Sequence, residues 1–153
     1  MTEPFGMVPV GRVVSTRDVP EDDGWDGETS SIELLEPFDG SALQGLDGFS
    51  HCLVVYVFDR ASWDGSRMTR RPRGNPDWPE TGIFAQRAKD RPNRIGVTVC
   101  RVVAVEGTVL RVSGLDAIDG TPVLDIKPHM EEFGPRGEHR QPSWATELMN
   151  GYW

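Results

Sequence analysis

The stretch GVTVCRVVAVEGTVLRVSGLDAID, Gly96 to Asp119, constrains the fold more than any other part of the chain. Its apolar residues are mostly β-branched, which suits a pleated surface better than a helical face. Glu106-Gly107 interrupts the run as a turn would, so two strands joined in a hairpin are expected. Shorter runs of the same character recur in GMVPVGRVVST, SIELLEPF, TGIFAQ and GTPVLDIKPH. CLVVYVFD is almost continuously apolar and predicts a strand covered on both faces. SALQGLDGFSH holds a short helix or turn, and SWATELMNGYW predicts one short helix starting near Ser143. Short strands at close spacing predict a mainly β domain, a barrel or sandwich with few helices, spanning residues 1–153.

Arg60 to Glu80 carries Pro72, Pro76 and Pro79 with Gly65 and Gly74. An irregular, exposed connection is expected there, and loops of that length in small domains serve function or movement. Cys52 and Cys100 both sit inside strand-like runs and read as small core residues, not as a disulfide framework. No apolar run approaches the roughly 18 to 20 residues a membrane helix needs. The start, MTEPFGMVPVGRVV, lacks the basic and apolar segments of a secretory signal, so the cytoplasm is expected.

The net charge of −8 argues against binding nucleic acid through overall electrostatics. The charge is uneven, however. Arg60 to Arg101 holds ten Lys and Arg against four acids, a surplus of +6, which leaves −14 on the rest. A basic segment in an acidic chain suits a local anionic ligand or an RNA contact. Solvated loops would look the same.

Familiar site signatures are missing. There is no G-x-G-x-x-G and no P-loop, so a Rossmann-type site is not expected. His51, His129 and His139 lack metal-binding spacing, and no metal site is expected. No G-x-S-x-G elbow is present either.

Two stretches stand out. In RPNRIG, Pro92 fixes φ, Asn93 tolerates the left-handed region and Gly96 lets the strand begin. That accounts for a turn but not for Arg87, Arg91 and Arg94, whose planar charged forks suit carboxylate or phosphate. In SGLDAIDGTPVLDIKP, Asp116, Asp119 and Asp125 lie in or beside turns, with Lys127 near the last. Asp119-Gly120-Thr121-Pro122 favours a tight turn exposing amides and a hydroxyl, able to read an adenine edge or a ribose. A hairpin corner capped by its own aspartates fits equally well.

Taken together, GIFAQRAKDRPNRIGVTV followed by VSGLDAIDGTPVLDIKPH resembles the TrmO/TsaA-like family of S-adenosylmethionine-dependent methyltransferases. GRVVST and GLDGFSHCLVVYVFD resemble its opening strand and its G-L-x-x-F-S-H segment, so the likeness covers about residues 6 to 130. It implies a small non-Rossmann β-barrel of the TsaA-like type that binds S-adenosylmethionine and forms a homodimer. It also implies N-methylation of N6-threonylcarbamoyladenosine in tRNA. Carried over by motif, the cofactor contacts are Asp59, Arg60, Arg87, Val97, Ile118, Asp119, Gly120 and Thr121. Arg91, Asn93, Asp125 and Lys127 match family positions serving substrate or scaffold, and Arg94 stands among them. Asp59, Asp119 and His129 are candidates for removing a proton from the acceptor nitrogen.

The chain departs from the family pattern at several points. Gln86-Arg87 stands where members read T-R, Arg94 replaces a proline, Asp59 a histidine and His129 a tyrosine. The N-terminal P-R-Q element is not recognisable, and the C-terminal region of the bacterial tRNA enzyme is missing, residues 131–153 forming a short tail. These differences bear on the acceptor more than on the cofactor. A small metabolite or nucleoside is the alternative acceptor, and a non-catalytic S-adenosylmethionine-binding module is the alternative class.

Overall fold

The computed structural model describes residues 2–153. Eight strands and one helix occur in the order β1 (Gly11–Val14), β2 (Thr29–Leu34), β3 (His51–Val57), β4 (Thr69–Arg70), β5 (Thr81–Gly82), β6 (Ile95–Glu106), β7 (Val109–Ser113), β8 (Pro122–Pro128) and α1 (Ser143–Leu148). Six of them close a barrel in the order β1-β2-β7-β6-β3-β8, and every pairing is antiparallel. Closure leaves no free sheet edge around most of the ring, and the alternation of the strands fills the inside. Val13, Ile32, Cys52, Val54, Tyr56, Leu110, Val112 and Val123 are fully buried there, with Leu43 and Leu46 from two 3₁₀ turns packed on the same cluster.

The valine-rich stretch forms the expected hairpin, with its turn at Gly107-Thr108, one residue later than the sequence suggested. Gly107 has φ +61°, the conformation that two-residue hairpins place at their first turn position. A bulge at Val103 lets the long strand β6 bend around the barrel. Two expectations need correction. CLVVYVFD is covered on one face only: Cys52, Val54 and Tyr56 point inward, while Leu53, Val55 and Val57 lie half-exposed outside. TGIFAQ is a strand only at Thr81–Gly82, paired with β4. Beyond it, Ile83–Ala85 turns into a 3₁₀ helix, and the Gln86 side-chain amide donates to the carbonyls of Arg70 (2.9 Å) and Thr81 (3.0 Å) where a longer ladder would have run.

The cysteines are both buried and free, directly opposite one another across β3 and β6, with their sulfurs 3.8 Å apart. No helix among the described residues is long and apolar enough to cross a membrane. The tail helix begins at Ser143 as expected and buries none of its residues.

Candidate functional site

β7 ends opposite Arg101, so the first half of β6, Ile95–Cys100, pairs with β3 alone. Its other edge is met by side chains. There Arg87 donates to the carbonyl of Val97, joining two of the residues singled out by motif. The turn before β6 is strained: Asn93 has φ +59° and Arg94 φ +52°, the left-handed region that non-glycine residues seldom enter. Arg94 holds the turn by donating to the carbonyls of Asp59 (3.2 Å) and Ala61 (3.0 Å), and Arg91 donates to that of Gln86 (2.7 Å). Arg91, Asn93 and Arg94 line a cavity of about 360 Å³ with Ala61, Ser62 and Trp63.

The Asp119 turn joins the same region through the segment after β1. Ser15 donates its amide to Asp119 Oδ1 (3.0 Å), and the Asp119 amide donates to the carbonyl of Arg17 (2.7 Å). One residue on, the carbonyl of Asp18 accepts from Arg60 (2.9 Å). Ser15 to Asp18 therefore links the D-G-T block to the end of β3. The turn does not offer its amides as the sequence suggested. Gly120 donates to Val13 (2.8 Å), and Thr121 gives both its amide and its hydroxyl to the carbonyl of Ile118. What this turn presents to a ligand is its backbone shape and Ile118, not spare N–H groups.

Five arginines of the basic segment, Arg60, Arg71, Arg87, Arg91 and Arg94, are held by main-chain carbonyls. Among the described residues none of the five forms an ion pair. A carbonyl fixes a guanidinium without cancelling its charge, so these positions remain attractive to an anion. Arg70 and Arg73 differ, pairing with Asp90 and with Asp22 and Asp23.

Sequence reasoning passed over several residues here. Asp116, named only as a turn aspartate, receives the Tyr56 hydroxyl (2.8 Å) and the Thr98 hydroxyl on Oδ1, and the Tyr152 hydroxyl on Oδ2. Burial, and then the Asp116 charge, pushes both tyrosine hydroxyls well above the ordinary phenol range. Arg17 lies over the Trp25 ring, 3.7 Å from its centroid, and pairs with Glu21 and Glu28. Trp25, read as part of an irregular acidic loop, is buried. The signal for Trp25 was its isolation in polar sequence.

Three sequence candidates fall elsewhere. His129 follows β8, whose other end adjoins Thr121; at roughly 3.3 Å per residue it lies about 26 Å along that strand from the D-G-T turn. Its amide donates to the carbonyl of His51. Asp125 and Lys127 pair with one another at 2.8 Å, in register with Val55 and Leu53 of β3. Asp125 also lines a second cavity of about 520 Å³, with Val10, Leu34, Phe38 and Leu43.

The barrel has known relatives. The sequence model of the tRNA-methyltransferase O N-terminal domain matches residues 12–134. The chain belongs to that family. A crystal structure of TrmO from Pseudomonas aeruginosa superposes with a TM-score of 0.75 at 30% identity, covering 93% of this chain and 62% of that one. The human tRNA (adenine(37)-N6)-methyltransferase is 41% identical over 110 residues, 71% of this chain and 24% of that protein. An archaeal relative from Methanothermobacter thermautotrophicus, described as a probable S-adenosyl-L-methionine-binding protein, is 40% identical over 134 residues, 84% of this chain and 93% of its own length. The chain spans less than half of several methyltransferase relatives, 43% in the case of one from Pseudomonas aeruginosa. The tRNA-methyltransferase O domain match stops short of α1 and the residues after it.

Proposed function

We propose that this protein is an S-adenosylmethionine-dependent N-methyltransferase whose acceptor is N6-threonylcarbamoyladenosine in tRNA. The observation that carries the reading is a pair of links: Ser15 to Asp18 ties the Asp119 turn to Arg60, and Asp116, three residues before that turn, accepts the Thr98 hydroxyl next to Val97, whose carbonyl Arg87 holds. Three separate motifs of the sequence thus meet along one barrel edge. Family membership and relatives named for S-adenosylmethionine, tRNA and adenine N6 supply the chemistry.

The residues fit such a cofactor. Arg87 and Arg60 are exposed, fixed through a carbonyl and left with further N–H donors for a carboxylate. Val97, Ile118 and the Asp119-Gly120-Thr121 turn offer backbone and apolar surface for an adenosine, and Asp59 directly precedes Arg60. Bound there, S-adenosylmethionine supplies an electrophilic methyl group on a sulfonium. The protein's contribution is to hold the acceptor nitrogen in line with it, an effect of positioning more than of acid–base chemistry. Asp119 accepts the Ser15 amide and so serves as an anchor. Asp59, exposed at the strand end, is the carboxylate better placed to take a proton. The uncancelled arginines, with the cavity at Arg91, Asn93 and Arg94, suit the polyanionic acceptor.

We assign a homodimer to the outer face of β3 and β6. Leu53 and Val57 pair with Val99 and Ile95, and Val99 is 45% exposed. Such an apolar sheet face is the kind a partner covers. A cytoplasmic location accords with a tRNA acceptor.

The test is labelled S-adenosylmethionine with tRNA carrying the threonylcarbamoyl group, followed by nucleoside mass spectrometry. The expected product is that nucleoside heavier by one methyl group. Cofactor binding without any methylation of tRNA would overturn the acceptor. It would favour the second reading, a non-catalytic S-adenosylmethionine-binding module, which the near full-length match to the archaeal relative supports. Label appearing in small molecules alone would point to a metabolite or nucleoside acceptor.

A further inference from the structure

The tail reaches this site from beyond residue 134, where the family match ends. Tyr152 places its hydroxyl on Asp116, and its carbonyl accepts the amides of Gly24 (2.8 Å) and Trp25 (2.9 Å). Asp116 sits between the two halves of the motif set. Thr98, which bonds its Oδ1, is next to Val97, and Ile118 follows two residues later.

The two carboxylate oxygens have different partners. Oδ1 is taken by Tyr56 and Thr98, both rooted in barrel strands and both buried, so the carboxylate is fixed by the fold. Among the described residues Oδ2 receives the tail hydroxyl alone. The tail itself is lightly held. α1 fully buries none of its residues, Trp144, Ala145 and Leu148 being half-buried, and its polar ties to the rest are the Gly24 and Trp25 amides and a bond from Trp78 to Glu147 at 2.8 Å. A carboxylate locked on one oxygen and covered on the other by a lightly held donor is an acceptor in waiting.

We infer that Asp116 Oδ2 is a ligand-binding acceptor, taking a hydroxyl or amino donor from the adenosine part of the cofactor, and that Tyr152 reserves it in the free protein. This deepens the proposed function and rests on its cofactor assignment. Phenol and adenosine can each aim one donor at this oxygen. The positive charges of Arg87 and Arg73 act on the Tyr152 hydroxyl, so the ring lies within the field of the site. Binding of the ligand therefore requires the tail to leave, and the tail weakens binding in proportion to its hold.

Calorimetry with S-adenosylmethionine and with adenosine on wild type and Tyr152→Phe tests this. The variant keeps the ring and loses one hydroxyl-to-carboxylate bond, so both ligands should bind about tenfold more tightly. Methionine alone should show no gain. Hydrogen exchange gives a second readout: the Gly24 and Trp25 amides should lose protection when S-adenosylmethionine saturates the wild type. Equal or weaker binding by Tyr152→Phe, or unchanged protection of those amides, overturns the inference while leaving the cofactor assignment standing. Absence of S-adenosylmethionine binding by both proteins overturns the cofactor assignment itself, and the inference with it.

Discussion

Gly96 closes the RPNRIG turn, and from the sequence its role is to let the strand begin. The structure gives a different reason. Its φ is not left-handed, and β6 already begins at Ile95. A Cβ at this position would lie 2.5 Å from Tyr56 Cε2, 2.7 Å from Cζ and 2.9 Å from Phe58 Cζ. Carbon contacts are comfortable at about 3.5 to 4.0 Å, so Gly96→Ala must push the Tyr56 ring by about 1 Å. That ring is fully buried and cannot swing to solvent. Overpacking of this kind costs roughly 1–3 kcal/mol. A shift of that size also stretches the 2.8 Å bond from the Tyr56 hydroxyl to Asp116, at about 1.5–3 kcal/mol for a bond to a charged group. Reduced freedom of the unfolded chain returns about 0.4–1 kcal/mol. The net loss is about 2–5 kcal/mol.

Urea unfolding followed by tryptophan fluorescence measures it. With a slope of about 2 kcal/mol/M, the midpoint should fall by about 1–2.5 M. The same substitution in a Tyr56→Phe background should cost only the overpacking part, about 1–3 kcal/mol, because the hydroxyl bond is already gone. A midpoint unchanged within about 0.25 M would falsify the packing argument.

Further expectations concern the site and the core. Arg87→Ala removes both the tie to Val97 and an exposed guanidinium, so S-adenosylmethionine should bind at least about tenfold more weakly in calorimetry, with the urea midpoint nearly unchanged; undiminished affinity would mean that Arg87 does not contact the cofactor. Tyr56 and Tyr152 are the chain's two tyrosines, and both hydroxyls are held above the ordinary phenol range, chiefly by burial. Ultraviolet titration of the folded protein should show no phenolate step near pH 10. Their raised values favour the protonated native form, so this stability is fully present below about pH 10 and declines as pH rises above it, when the unfolded tyrosines ionise first. A normal phenolate step, or a urea midpoint flat from pH 9 to 11, would contradict the buried cluster. Cys52 and Cys100 are both shut inside the barrel, out of reach of a reagent, so neither should react with a thiol reagent at pH 8 until urea is added; rapid labelling of the folded chain would show the barrel interior to be open.

How far the sequence carried depended on where each interaction lies along the chain. The β6–β7 hairpin was legible because β-branched alternation and the Gly107 turn are local signals. Its turn slipped by one residue because Glu106 can sit in a strand as readily as in a turn. Asn93 was placed correctly in the left-handed region from its residue type, whereas Arg94, equally left-handed, was not: its conformation is imposed by carbonyls more than thirty residues away. The aspartates divide the same way. Asp119 could be read as a turn residue, but its partner Ser15 lies 104 positions off. Asp116 collects hydroxyls from residues 56, 98 and 152, a set that neither spacing nor periodicity can reveal. Motif resemblance supplied the names of residues along the barrel edge; it could not supply Tyr152, which lies outside the motif region. The site thus has two layers with different visibility. Its ordered blocks lie in continuous sequence, while the groups that hold and cover them come from the ends of the chain, where only the closing of the barrel brings them together.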